Sequence, residues 1–258
     1  MRKTGPASWN AVKIVLAAGT PIQKFVSGKG DTHLFCNHQA IKILSNDGKN
    51  DCANIFNKYI EFINRGVLWA DIGWKNFAHY YGPQKGQGLG PWPNAKSECQ
   101  SFFDKALYFW MKQNKNKSFF FLGAATHIVQ DLCVPHHAKC IPFCGHNEYE
   151  KWVQDNYNKY SVFSNGIYND SFDAGNWVDY NANTSVFYFP YVSIAGSVSS
   201  YEMATEVLLP HSQKTTAGLF SSFMERANLR IPLKASDNTQ YNNNCNLHLC
   251  SDNRYYVN

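Results

Sequence analysis

No run of 18 apolar residues occurs in this 258-residue chain, so no transmembrane helix is expected. Charged residues are scarce at 17%, against 44% hydrophobic, which excludes a disordered chain. There is no internal repeat, no composition-biased linker and no sign of a second domain. No Cys-x-x-Cys occurs, which removes the commonest zinc-ribbon and thiol-redox signatures. The basic excess is small, +5, enough to favour anionic partners but not to argue for nucleic acid. The start of the chain holds only a weak export signal. Met1-Arg2-Lys3 is followed by a short apolar run, Ala11 to Gly19, interrupted by Lys13.

What the chain does have is eight cysteines and 16% aromatics. The even cysteine count permits up to four disulfides and leans towards an oxidising, extracytoplasmic compartment, with buried free thiols as the alternative. Cys245 and Cys250 are spaced to close a small loop in a polar tail. Helical periodicity predicts an all-α fold with one core. A first helix follows Asp31 or Thr32, and a second runs from Asp51 to about Asn64, before Gly66. Others span about 95–113, 118–133, 146–160, 199–209 and 211–226. Residues 161–194 read as an irregular excursion with a short strand at 185–189. Residues 67–93 are a Gly/Pro-rich loop carrying Asp71, Trp74, Phe77, His79, Tyr80 and Tyr81, and such loops are usually functional. The expected layout is an N-terminal segment (1–30), a catalytic domain (31–230) and a polar tail (231–258).

The stretch Lys117–Trp152, KSFFFLGAATHIVQDLCVPHHAKCIPFCGHNEYEKW, carries the chemistry. His127 and Asp131 stand four apart, as do His146 and Glu150. On a helix each pair shares one face. His137 lies between them, after Pro135. Asp71 and His79 in the loop, and His33 on the first helix, complete five histidines and three carboxylates. One ion rarely needs so many, so two or three zinc ions with shared ligands are expected.

These residues resemble the bacterial zinc-dependent phospholipases C, the family of the clostridial alpha-toxin catalytic domain. The likeness lies in LGAATHIVQDLCVPHHA followed by GHNEYEKWV, with THLFCNHQAIKIL and WADIGWKNFAHYYGP upstream and NWVDYNA and LLPHSQKTTAGLFSSF downstream. It covers about residues 31–226. It implies one zinc on Asp71, His79, His127 and Asp131, a second on His137, His146 and Glu150, and a third on His33 sharing Asp131. In the family an N-terminal Trp completes the third. Here Trp9 stands 24 residues before His33, a longer interval than the family's. Ile72 occupies the family's choline-contacting aromatic position, and loss of a cage aromatic weakens quaternary ammonium binding. The implied reaction is in-line hydrolysis of a phospholipid's glycerol-side phosphodiester, with Asp71 as general base or orienting ligand. The implied protein is a secreted monomer working at a membrane or micelle surface. Trp74, Tyr80, Tyr81 and Trp92 are candidate lipid contacts or, equally, core packing, and no nucleic acid is expected. The alternatives are a single-strand nuclease sharing the cluster, or a non-catalytic metal-stabilised binding protein. Glu150, where the nucleases carry Asp, favours the lipase.

Overall fold

Lys115–Asp131 is the innermost helix, as its nearly unbroken apolar sequence requires. The structure is a computed structural model that describes residues 30–90 and 93–229. In chain order its helices are α1 (Asp31–Asn46), α2 (Asn50–Ala70), α3 (Ala95–Met111), α4 (Lys115–Asp131), α5 (Pro135–Lys139), α6 (His146–Asn156), α7 (Ala174–Ser185), α8 (Phe189–Val192) and α9 (Val198–Leu229). Helix α4 packs between α2 and α3, α1 lies against α2 and α9, and α7 closes on α3. No strand occurs among the described residues, only a lone bridge between Gly82 and Gln87, so the all-α expectation holds.

The helix ends follow local chemistry. Asn94 caps α3 by accepting from Ser97 N, and Asn114 caps α4 by accepting from Lys117 N. Helix α4 therefore begins one turn before the expected Ser118. Around its own Phe119 the core residues are large: Phe56, Phe103, Phe220 and Phe223, like Phe119, are essentially inaccessible to solvent. Phe56 stacks on Phe220 at 4.2 Å, tying α2 to α9.

Five expectations are corrected. Helix α2 does not stop before Gly66 but runs to Ala70, carrying Asp71 to its end. Gly66 is there for contact, because a Cβ on it would lie 1.9 Å from Phe120 O on α4. Residues 174–185 are not irregular chain but form α7. Its buried stripe includes the polar Asn181 and Ser185, which hide the periodicity. The strand expected at 185–189 is absent, since Val186–Tyr188 is a 3-10 turn leading into α8. The last two helices are one, α9, which continues through Pro210. The outer segments 1–29 and 230–258, with Trp9 and the Cys245–Cys250 loop, lie outside the described residues, as does Trp92. The six described cysteines are free, and Cys36, Cys99 and Cys133 are buried, which corrects the leaning towards disulfides for this part of the chain.

The α2–α4 crossing is set by backbone against backbone. A Cβ on Gly123 would meet Ile63 O at 2.0 Å, as one on Gly66 would meet Phe120 O. Alanine at either position gains about 1 kcal/mol of helix propensity, but overpacking costs about 1–3 kcal/mol. Gly123→Ala is therefore expected to lower the urea midpoint. An unchanged or raised midpoint would show that the helices can part freely.

Candidate metal centre

Helix α4 brings His127 and Asp131 onto one face near its C-terminal end. Burying both on an apolar helix is costly unless they are partnered. Asp131 is the hub. Its Oδ2 lies 2.8 Å from His79 Nδ1 and 3.2 Å from His127 Nε2, and its Oδ1 lies 3.4 Å from His33 Nε2. His33 comes from α1, and His79 follows the Gly73–Ala78 turn. Asp71 caps the end of α2 and joins His79 and His127 in a group whose donor atoms lie within 4.8 Å of one another. A second such group is His33, His127 and Asp131.

The third group is His137, His146 and Glu150. Pro135 starts the short helix α5 at a position that needs no N–H. Cys140 ends it in left-handed conformation, and Cys144 and Gly145 turn the chain into α6 with positive φ. Glu150 Oε1 then lies 2.8 Å from His146 Nε2 and 3.6 Å from His137 Nε2. Ligands held about 2.0–2.2 Å from a tetrahedral ion stand roughly 3.3–3.6 Å apart, so both clusters are at the right scale. All eight sequence-predicted site residues thus meet around one cavity of about 280 Å³, which they line.

The ring nitrogens support a metal. His137 Nδ1 bonds to His79 O at 3.0 Å, and His146 Nδ1 lies 3.3 Å from Pro142 O. A carbonyl only accepts, so both rings carry their proton on Nδ1 and offer Nε2 to the cluster. His79 Nε2 and His127 Nδ1 are buried without a hydrogen-bond partner. Orphaned nitrogens of this kind are rare in a packed interior and fit ligands to zinc.

The electrostatics are mutual. Burial alone would raise the Asp131 carboxyl, but His127 and His137 outweigh it and hold it well below the usual range. Burial would likewise raise Glu150, and the His137 and His146 rings held against it in the metal-free protein bring it well down. Burial would lower His137, but Asp131 and Glu150 push it up to about 9. His127 is raised chiefly because Asp131 outweighs burial. Burial, followed by the neighbouring His127, lowers His33. Burial also lowers His79.

Two of the aromatics read as either lipid contacts or core are core. Tyr80 and Tyr81 are buried, at 7% and 5% exposure. Tyr80 stacks on His137 at 4.6 Å, and Tyr81 donates to Asp179 Oδ1 at 2.9 Å. The exposed apolar groups near Asp71 are Ile72 and Phe77. Two supports of the site do not stand out in the sequence. His136 is fully buried and stacks on His146 at 4.7 Å, while its Nε2 bonds to Cys144 O. Gln130 is buried beside Asp131 and bonds to His33. Its signal is a single amide closing the largely apolar run that starts at Phe119.

A family model described as zinc dependent phospholipase C matches residues 32–195. Among curated relatives, a phospholipase C of Clostridium perfringens is 24% identical over 238 residues, covering 76% of this chain and 60% of that protein. A phospholipase C of Listeria monocytogenes is 25% identical over 228 residues, covering 77% and 78%. The chain thus spans about three fifths of the length of the clostridial relative. Among solved structures, the alpha toxin of Clostridium absonum superposes with a TM-score of 0.70 at 21% identity, over 80% of this chain and 66% of that one. The Clostridium perfringens alpha-toxin of an avian strain gives 0.66 at 22%, over 83% and 68%. Both share this fold.

Proposed function

Because the chain belongs to the zinc-dependent phospholipase C family, we propose that it hydrolyses the glycerol-side phosphodiester bond of phospholipids, releasing diacylglycerol and a phosphorylated headgroup. The observation that carries this reading is the convergence of eight ligand-type side chains, from α1 to α6, on one cavity. Asp71, His79, His127 and Asp131 would hold one zinc ion, and His137, His146 and Glu150 a second. His33 would share Asp131 with a third. Zinc, when bound, polarises phosphate oxygens and lowers the pKa of a water towards about 7.

The protein's own groups do the rest. Pro142 O and His79 O fix the His146 and His137 rings, so each Nε2 is aimed before substrate arrives. Buried walls of the cavity, including Tyr80, Tyr149 and Leu208, limit water around the cluster. Asp71 lines the cavity and is not fully buried, which suits a group that orients or deprotonates a water. Ile72 is 56% exposed and Phe77 43%, so they would meet the headgroup or the lipid surface instead of forming an aromatic cage. That favours headgroups other than choline. No helix among the described residues is long and apolar enough to cross a membrane. The protein would act as a monomer, outside the cytoplasm, on lipid presented at a surface.

The test is an assay on vesicles of single headgroup type and on single-stranded DNA, each with and without a chelator. Headgroup release that the chelator abolishes and zinc restores is the expected result. Release that survives the chelator overturns the zinc role. Cleavage of DNA without attack on lipid overturns the substrate class.

A further inference from the structure

Gln130 is not in the ligand set, yet its orientation controls one member of it. The chain of hydrogen bonds begins on α9. Thr216 donates its hydroxyl proton to Ser212 O at 2.7 Å, so its oxygen has only lone pairs to offer a further partner. Gln130 Nε2 donates to that oxygen at 3.1 Å, and to Asn37 Oδ1 on α1 at 3.0 Å. Asn37 is fixed in turn, its amide donating to Asn64 Oδ1 at 2.8 Å. Both amide protons of Gln130 are therefore committed. What remains is Oε1, which lies 2.8 Å from His33 Nδ1. A carbonyl oxygen can only accept, so the proton sits on His33 Nδ1 and the lone pair on Nε2. That lone pair faces Asp131 Oδ1 at 3.4 Å. Two acceptors face each other there, and a cation between them reconciles the pair.

We propose that Gln130, oriented by Thr216, is a positioning residue that sets the His33 tautomer and thereby prepares the ion position shared with Asp131. The inference rests on reading His33 as a ligand. The residues nearest behind His33 are buried: Asn37 and Thr216 have no exposure and Gln130 has 3%, while Asn64 beyond them is half-buried. The network is thus shielded from competing water, and a flipped amide would leave acceptors against acceptors. It links α1, α4 and α9, so the site's readiness depends on α9 as well as on the ligand-bearing helices.

The decisive measurement is nitrogen NMR of histidine-labelled, metal-stripped full-length protein. The His33 signal is assigned by its loss in His33→Gln. The expected result is the Nδ1–H tautomer in the native protein and its loss in Gln130→Met. Zinc competition against a fluorescent chelator should show one ion weakened about 10–100-fold in Gln130→Met, as for other outer partners of metal ligands. Thr216→Val should reproduce both effects, and Thr216→Ser should not. An Nε2–H or doubly protonated His33 in the native protein overturns the proposal. So does native zinc affinity in a folded Gln130→Met. If that variant does not fold, the native tautomer and the Thr216 pair decide. Phospholipid hydrolysis is not a readout here. A native protein with the Nδ1–H signal and graded zinc loss, but no action on lipid, would overturn the functional reading alone.

Discussion

Asp131→Asn is expected to cut phospholipid hydrolysis by more than ~100-fold and to remove more than one zinc ion per chain. Loss of an outer partner of a metal ligand costs about 10–100-fold. Asp131 is closer in than that, touching His33 through one oxygen and His79 and His127 through the other. An amide keeps one acceptor and replaces the other by a donor, which would point a proton at a neighbouring ring. It also removes the negative charge that balances the cluster. Metal content by mass spectrometry and kcat on vesicles check this together. Glu150→Gln is the control, since Glu150 touches only His137 and His146 and should cost a single ion. A variant of Asp131 that keeps full zinc would sink its role as the shared ligand.

Stripping the metal is expected to reverse the way stability depends on pH. In the metal-free protein His137 is raised to about 9, and His127 is raised too, because carboxylates outweigh burial. A raised folded pKa stabilises fully below the unfolded value of ~6.5, and the benefit fades as pH climbs through the folded one. Asp131 and Glu150 are held low, so their contribution is present above ~4.5 and lost on acidification. His33, His79, His136 and His211 are lowered by burial, so protonation of the unfolded chain opposes folding below ~6.5, and the metal-free form should be most stable near pH ~6.5 and weaken towards ~9. Zinc needs neutral imidazole. Uptake near neutral pH must displace the His137 proton, and the loaded form should gain stability over the same rise. Thermal melts at about pH 6 and about pH 9, with zinc and with chelator, should diverge in opposite directions. Calorimetry in buffers of different ionisation enthalpy should show proton release. Parallel melting profiles, or zinc uptake without proton release, would refute this account.

The site is more legible in the sequence than parts of the fold. Pairs four apart on helices have one geometry, so helical periodicity alone puts His127 with Asp131, and His146 with Glu150, on shared faces. His33, Asp71 and His79 can be named as candidate ligands from their residue types, but their place in the cluster comes only through resemblance, since nothing local says that α1 and the 67–93 loop fold onto α4. The helices that stay hidden do so for one physical reason. Apolar letters are not the only ones that get buried: Asn181 is buried by donating to Val129 O and Thr215 Oγ1, and Ser185 by donating to Leu132 O. Gly66 looks like a stop and is a contact. Pro210 looks like a break, yet α9 continues through it with Leu208 and Leu209 buried on one side and Ser212 and Gln213 on the other. Tyr80 and Tyr81 read equally as surface or core and are walls of the interior.

Helix α9 also bears on the order in which the protein is made. The last candidate ligand, Glu150, leaves the ribosome well before the chain is finished, and the family match itself ends at residue 195. Yet α1 lies against α9, and the amide that orients His33 is anchored on Thr216. A nascent chain can thus hold every ligand and still not hold the site. On the proposed role of Gln130 the metal pocket matures only when α9 docks, so two helices far apart in the chain, α1 and α9, close it together.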